Sequence, residues 1–306
     1  MALNTVKIGN INWINIVEPE DKDINYLEEN FKFHHLDIQH ILGEKQPPKI
    51  DVYKHYIFSI LYFPEIINNK LQNLELNVFV GKDYLVTIQK KKIDIVQSLF
   101  SRVSQSENYK KKLASRGSGY LFYKVLDPLF KTYYSQALKS LSKFVSNVEE
   151  EIYDKKADKE TVEELAFARR IILDIRRTVS MEKFIIDNLS HSKKDFIIRH
   201  EYIVYFDDIR DYLEKVWAIL DDYKNISDGL FETNESMISL RTNEIIKLLT
   251  IISVALLPLT LLSGIYGMNI DGLPFAHNSN IVWSIFGSLL VIIVAVVLIY
   301  RKKGSL

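Results

Sequence analysis

The stretch that decides the fold is "LLTIISVALLPLTLLSGIYGM", residues 248–268, which contains 21 residues and no charge. At about 1.5 Å per residue it forms roughly 30 Å of helix, the thickness of a bilayer's hydrocarbon core. A second uncharged run of 20 residues covers 281–300. The sequence therefore predicts two membrane-spanning helices. The alternative, a hairpin buried in a soluble core, is disfavoured because soluble helices of this length normally carry a polar face.

The basic residues that flank these runs predict their orientation. The connecting segment, 268–280, contains no Lys or Arg, whereas Arg241 and Lys247 precede the first run and a basic tail, 301–306, follows the second. The positive-inside rule then places both termini in the cytoplasm. The N-terminus lacks the basic head and apolar core of a signal peptide. We therefore expect an integral protein of the cell (inner) membrane whose N-terminal region stays in the cytoplasm.

Composition and missing motifs argue against several functions. The 306 residues carry a formal net charge of zero, so no nucleic-acid partner is expected, and there is no cysteine for a disulfide or a thiol nucleophile. No GxGxxG, GxxxxGK[ST] or HExxH motif occurs. His34, His35 and His40 have a loose ligand-like spacing, but chance clustering explains it better. The sequence predicts neither an enzyme nor an organic cofactor.

Residues 1–117 read as a cytoplasmic α/β domain. Segments rich in β-branched and aromatic residues predict strands at 11–19, 55–63 and 74–89, the last with a hairpin turn at Gly81-Lys82-Asp83. Helices are predicted at 21–31 and 93–103. The glycines at 117 and 119 mark the expected end of this domain.

The rest of the chain is predicted to be almost entirely helical. Between Pro128 and Pro258 there is no proline and only one glycine. We expect a helical region at 118–195, a stalk helix at 196–247 that runs into the first span, and a loop at 269–280. The stalk has a heptad seam, which favours packing against other subunits, although a break near Asn225–Gly229 is an alternative. The seam is formed by Tyr202, Phe206, Ile209, Leu213, Val216, Leu220, Tyr223, Ser227, Leu230, Asn234 and Met237.

The stalk is also acidic. Between Asp207 and Glu235 there are nine acids against three bases. Parallel copies of such a helix would repel one another unless cations lay between them, although a solvated helix face would have the same composition. The acids are Asp207, Asp208, Asp211, Glu214, Asp221, Asp222, Asp228, Glu232 and Glu235.

One face of the first span mixes small and hydroxylated residues with apolar ones. Simple helix packing and the lining of a pore are equally supported by this pattern. Pro258 removes one backbone hydrogen bond and is expected to bend the helix. The stripe consists of Asn243, Ile246, Thr250, Ser253, Leu257, Thr260 and Gly264.

Residues 242–269, "TNEIIKLLTIISVALLPLTLLSGIYGMN", resemble the first membrane helix of the CorA family of magnesium transporters, whose signature is the Tyr-Gly-Met-Asn ending. The resemblance implies a funnel-shaped homopentamer with an α+β cytoplasmic domain, a long stalk helix and two C-terminal transmembrane helices. The first span would line a pore that carries Mg²⁺, with cobalt or nickel as further cargo.

The resemblance also assigns roles to residues. Tyr266, Gly267, Met268 and Asn269 would form the entrance, where neutral oxygens accept hydrogen bonds from the tightly held waters of Mg²⁺. Asn243 and Thr260 match polar pore positions, and Leu249 and Leu257 match apolar constrictions. Leu257 and Ile246 stand where the family often has methionine.

In the loop, Phe275 replaces a common acid, which leaves Asp271 as the only acidic residue there. The resemblance further implies regulation by intracellular Mg²⁺. That ion would bridge neighbouring subunits through Asp208 and an acid of the α/β domain, for which Glu65 is the candidate. Alternatives are a zinc transporter of the same fold, disfavoured by the intact Gly-Met-Asn, and a membrane-anchored scaffold or metal sensor that does not transport.

Overall fold

The structure, a computed structural model, describes residues 3–43, 45–67, 70–154, 159–191, 197–268, 274–275 and 278–302. The chain forms two compact units, Met1–Leu230 and Phe231–Leu306. The strands are β1 (Leu3–Ile8), β2 (Ile11–Val17), β3 (Lys49–Val52), β4 (Tyr56–Ile67), β5 (Lys70–Gly81) and β6 (Tyr84–Gln89). The helices are α1 (Asp21–Asn30), α2 (His35–Leu42), α3 (Asp94–Gln105), α4 (Glu107–Ala114), α5 (Ser118–Tyr153), α6 (Lys159–Ser190), α7 (Ile203–Tyr266) and α8 (Ser279–Lys302).

The strands form one six-stranded sheet in the order β1-β2-β6-β5-β4-β3. Only β2 and β6 are parallel among its pairs. The predicted hairpin is confirmed, because β5 and β6 pair antiparallel around Lys82-Asp83. The two N-terminal helices add Leu27 and Ile41 to the core on one face of the sheet, and α5 packs on β4, where the rings of Phe63 and Phe130 are 5.2 Å apart. The prediction omitted β1, β3, α2 and α4.

Gly117 marks a change of secondary structure within one compact unit. The Ser118 hydroxyl donates to the carbonyl of Gly81, which ties the start of α5 to the β5–β6 turn. A side chain at Gly119 would come within 2.1 Å of the Ile197 carbonyl oxygen, so only glycine fits there. Helices α5 and α6 therefore pack with the sheet in the first unit.

The stalk is one helix, since α7 runs without a break through Asn225–Gly229. Its seam is buried from Tyr202 to Leu230 except at Tyr223, which is half-buried. The expectation that other subunits bury this part of the seam is wrong. Phe206 is fully buried and its ring lies 6.1 Å from that of Phe122 on α5, so the chain's own helices cover the seam.

The charge imbalance of the stalk is largely offset inside the chain. Six of the nine acids form ion pairs, four of them with bases on α5 and α6 that a count along α7 alone omits. These pairs are Asp208–Lys131, Asp228–Arg169, Asp221–Arg176 and Glu214–Lys183, with Asp207 and Asp211 both next to Arg210. The expected repulsion between stalks is therefore smaller than the sequence suggests.

One buried carboxyl group connects three elements of the first unit. Glu182 of α6 is fully buried, and it accepts hydrogen bonds from the backbone N–H of Tyr62 on β4, at 2.9 Å, and from the hydroxyl of Tyr134 on α5. Burial raises the pKa of Glu182 to about 8, although both hydrogen bonds act in the opposite direction. The sequence pattern does not indicate this contact.

Candidate functional site

Within the second unit, α7 and α8 each have one less-exposed face. Tyr266 connects the two helices, because its ring lies 6.5 Å from that of Phe286 on α8. On α7 the less-exposed residues recur every three or four positions: Ile251, Ala255, Leu259, Leu262 and Tyr266. On α8 they are Val282, Ile285, Phe286, Leu289 and Ile293. We conclude that these faces pack together.

The predicted stripe lies on the opposite face of α7. At 3.6 residues per turn its centre is about 180° from the face next to α8. Every stripe residue is exposed, and the side chains of Ile246, Leu249 and Leu257 are 54%, 57% and 65% exposed. An alanine Cβ at Gly264 would have no neighbour within 4 Å among the described residues. The chain thus leaves the stripe uncovered along its length.

Two of the three hydroxyl groups of the stripe, those of Thr250 and Thr260, are oriented as acceptors. Thr250 donates its proton to the carbonyl of Ile246, at 2.8 Å, and Thr260 donates to the carbonyl of Leu256, at 3.0 Å. Because each proton is held by the helix, the oxygen lone pairs stay free to accept. The waters around a cation point their hydrogens outward, so this face suits a hydrated cation.

The end of α7 is a tight turn that requires glycine. The N–H of Gly267 donates to the Ser263 carbonyl at 2.9 Å, and the N–H of Met268 donates to the Ile265 carbonyl at 3.2 Å. A Cβ at Gly267 would lie 2.8 Å from the Ser263 oxygen, which is too close. A helix C-terminus carries a partial negative charge, which favours a cation nearby. Asn269 and Asp271 lie outside the described residues.

Tyr266 is placed differently from the other members of the signature. It lies on the face next to α8, and its hydroxyl donates to the Pro274 carbonyl at 3.2 Å. Tyr266 therefore contacts Pro274 and does not share the stripe. Phe275, which replaces the usual acid, is exposed and has φ of 63°, an uncommon backbone conformation for a bulky residue.

The two candidate regulatory acids have different neighbours in the chain. Lys131 lies 2.8 Å from the Asp208 carboxylate and also pairs with Asp127. Glu65 lies on β4 opposite Gln72. No group of three or more His, Asp or Glu residues that could hold a metal occurs in the part of the chain that the structure describes. Sequence reasoning missed Lys131, because it is 77 residues from Asp208 and has no local signal.

The histidines are explained by secondary structure. His34 is the N-cap of α2, where its ring nitrogen accepts from the N–H of Leu36 at 3.3 Å, and His40 lies in the last turn of the same helix. Of the described helices, the one that ends at Tyr266 is long and apolar enough to cross a membrane. The described apolar part of α8, Ser279–Ala295, is shorter.

Known transport proteins are similar to this chain over most of its length. The cobalt/magnesium transport protein CorA of Thermotoga maritima is 27% identical over 297 residues, which cover 95% of this chain and 82% of that protein. The magnesium transport protein CorA of Wolinella succinogenes is 24% identical over 284 residues, with 88% and 83% covered.

The fold is shared with a solved structure. The complete structure of the CorA magnesium transporter from Methanocaldococcus jannaschii superimposes with a TM-score of 0.81 at 21% identity, and the match covers 96% of this chain and 91% of that one. Residues 9–302 match the family described as CorA-like Mg²⁺ transporter protein, and the chain belongs to that family.

Proposed function

We propose that this protein is a transporter of divalent metal cations that carries Mg²⁺, and with it cobalt or nickel, into the cytoplasm. The observation that carries the proposal is the uncovered stripe of α7, opposite the face next to α8. A face lined with acceptor oxygens and small residues has no role toward lipid. The stripe would line a pore when several copies of the chain turn this face toward a common axis.

The stripe and the signature would supply successive rings of a pore in a homopentamer. Carbonyl oxygens at Gly267 and Met268, with the amide of Asn269, would hold a hydrated ion at the entrance. Neutral oxygens bind Mg²⁺ through its waters without a carboxylate's strong attraction, so the ion is also released. Further in, Thr260 and Asn243 form polar rings, and Leu249 and Leu257 form constrictions.

The driving force is the membrane potential. A divalent ion that enters a cell with an inside-negative potential gains about 4.6 kcal/mol per 100 mV. The basic residues at 241, 247 and 301–303 favour a cytoplasmic position for both termini, in which the end of α7 would face outward and ions would enter there. No nucleotide hydrolysis is needed.

Intracellular Mg²⁺ would regulate this import by bridging Asp208 to Glu65 of a neighbouring copy. Because Lys131 already neutralises Asp208 in the chain, the ion competes with an amine. Bound Mg²⁺ stabilises the closed assembly by mass action, and its loss favours opening.

The test is Mg²⁺ uptake into liposomes that contain the purified protein. Asn269→Ala should leave expression and oligomeric state unchanged and largely abolish the flux, because the entrance loses its amide oxygens. Uptake at the wild-type rate by this variant would exclude Asn269 as a selectivity ring. The absence of metal uptake by wild type, in protein shown to be folded, would reject transport itself.

A further inference from the structure

A cleft of about 520 Å³ opens between the start of β5 and the middle of α6. This volume is typical of small-molecule sites. Its apolar lining comes from Leu71 of β5 and from Phe167 and Ile171 of α6. An aromatic ring beside aliphatic side chains offers a surface for a flat apolar group. The cleft belongs to the first unit and has no part in the function proposed above.

The charge of the cleft is unbalanced. Lys45, Lys70 and Arg170 line it, against one carboxylate, that of Asp174. Within the residues that the structure describes, none of these three cations forms an ion pair. Three other basic residues of α6 pair with acids of α7: Arg169 with Asp228 at 3.0 Å, Arg176 with Asp221 and Lys183 with Glu214. In a chain of zero net charge, three unpaired cations around one concavity favour an anionic ligand.

A buried acceptor adds a second requirement. The side-chain oxygen of Asn73, a residue that lines the same cleft, is buried without a hydrogen-bond partner. Buried polar groups are normally satisfied, so this oxygen calls for a donor from a ligand. An anion alone cannot supply it. The ligand must combine a negative charge with an N–H or O–H donor and an apolar surface.

We propose that this cleft binds a nucleoside phosphate. The base lies against Phe167 and donates an amino hydrogen to Asn73, while the phosphates contact Lys45, Lys70 and Arg170. Lys45 is held near the site by its ammonium group, which lies 4.7 Å from the centre of the Tyr62 ring. The phosphates thus correspond to three cations without an ion pair among the described residues, and the amino hydrogen corresponds to the unsatisfied oxygen of Asn73.

The test is calorimetric titration of the full-length protein in detergent with ATP, tripolyphosphate and adenosine. Metal is removed beforehand with EDTA, so that chelation of Mg²⁺ by ATP contributes no heat. ATP should bind saturably with a dissociation constant below about 1 mM, and more tightly than either of the other two. Absence of saturable ATP binding would overturn the proposal. Equal affinity for tripolyphosphate would overturn the nucleoside part and leave a polyphosphate site.

Variants locate the binding. Arg170→Gln should weaken ATP binding about tenfold, as expected for loss of one hydrogen bond to a charged group. Its matched control is Arg169→Gln, which removes the same charge from the neighbouring residue outside the cleft lining. Asn73→Ala should weaken ATP binding and leave tripolyphosphate unaffected. If the Arg169 and Arg170 variants lost ATP affinity equally, the loss would reflect net charge alone. That result would reject this cleft as the binding site.

Discussion

The two units, residues 1–230 and 231–306, differ in how their apolar and charged side chains are covered. In the first unit α7 has a buried seam and acids paired with bases of the same chain. In the second unit, between residues 242 and 266, the same helix has one face next to α8 and leaves its other residues exposed, including apolar ones such as Leu257. The comparison teaches that one continuous helix performs two tasks: its first half completes a soluble core, and its second half needs partners outside the chain.

The largest effect is expected from the buried carboxyl group of the first unit. Burial raises the pKa of Glu182 from 4.5 to about 8, so between these values the folded protein holds a proton that the unfolded chain has lost. The contribution of Glu182 to the free energy of unfolding should therefore be largest below about pH 4.5, fall as the pH rises toward 8 and level off above it, a change of roughly 5 kcal/mol at most. Urea denaturation of the full-length protein at several pH values measures this.

The matched variant for this prediction is Glu182→Gln, which keeps an acceptor for Tyr62 and removes the titration. The difference in the free energy of unfolding between wild type and variant should change with pH between about 4.5 and 8. Other groups titrate equally in both proteins, so their contributions cancel in this difference. If the variant shows the wild-type slope, Glu182 is not the group responsible. The first unit would then depend less on this contact than its burial suggests.

The next prediction tests the exposed stripe of the second unit. Gly264→Ala creates no contact with the residues that the structure describes, so we expect any effect to arise where other copies or the ion approach. We expect about a tenfold lower Mg²⁺ flux with unchanged thermal stability, because one added methyl group per copy would narrow the proposed pore. Gly287→Ala is the control: this glycine of α8 has equal free space and lies off the stripe. Equal flux in the two variants would contradict the assignment of the stripe to the pore.

A smaller effect is expected where the first unit would meet a neighbouring copy. Lys131→Met removes the amine that competes for Asp208, and protease protection should then need a few-fold less Mg²⁺. Asp208→Lys should shift the midpoint to higher Mg²⁺, because it fixes a positive charge at the site. Lys139→Met, on the same helix and exposed, is the control. If both test variants reached half-maximal protease protection at the wild-type Mg²⁺ concentration, Asp208 would be excluded as the sensor.

The smallest effect is expected in the loop. Asp271→Asn should raise the apparent constant for Mg²⁺ only a few-fold, because exposed charge is screened over about 8 Å at physiological ionic strength. The difference from wild type should shrink further in high salt, which uptake measurements at two salt concentrations will show. Complete loss of transport would mean that Asp271 binds the ion directly.

Local patterns predicted several elements of the fold. The hairpin at 74–89, the continuous stalk helix and the face of the stripe all follow from periodicities of two and 3.6 residues, which neighbouring residues alone determine. Short elements such as β3 and α2 were missed, because four to eight residues give too little pattern to recognise. The sequence favoured chance clustering of His34, His35 and His40 over a metal site, and the structure gives His34 a role as the N-cap of α2.

The sequence by itself determined the uncharged runs, the long helix and the composition of its exposed face, since these are properties of one segment in one medium. Tertiary structure alone decided which acids are neutralised, which face of α7 lies next to α8, and that Glu182 is buried between two tyrosines. The physical reason is the distance along the chain between the residues that interact. A helix is set by residues four apart, whereas the pairing of Lys131 with Asp208 depends on how helices far apart in the chain pack against one another.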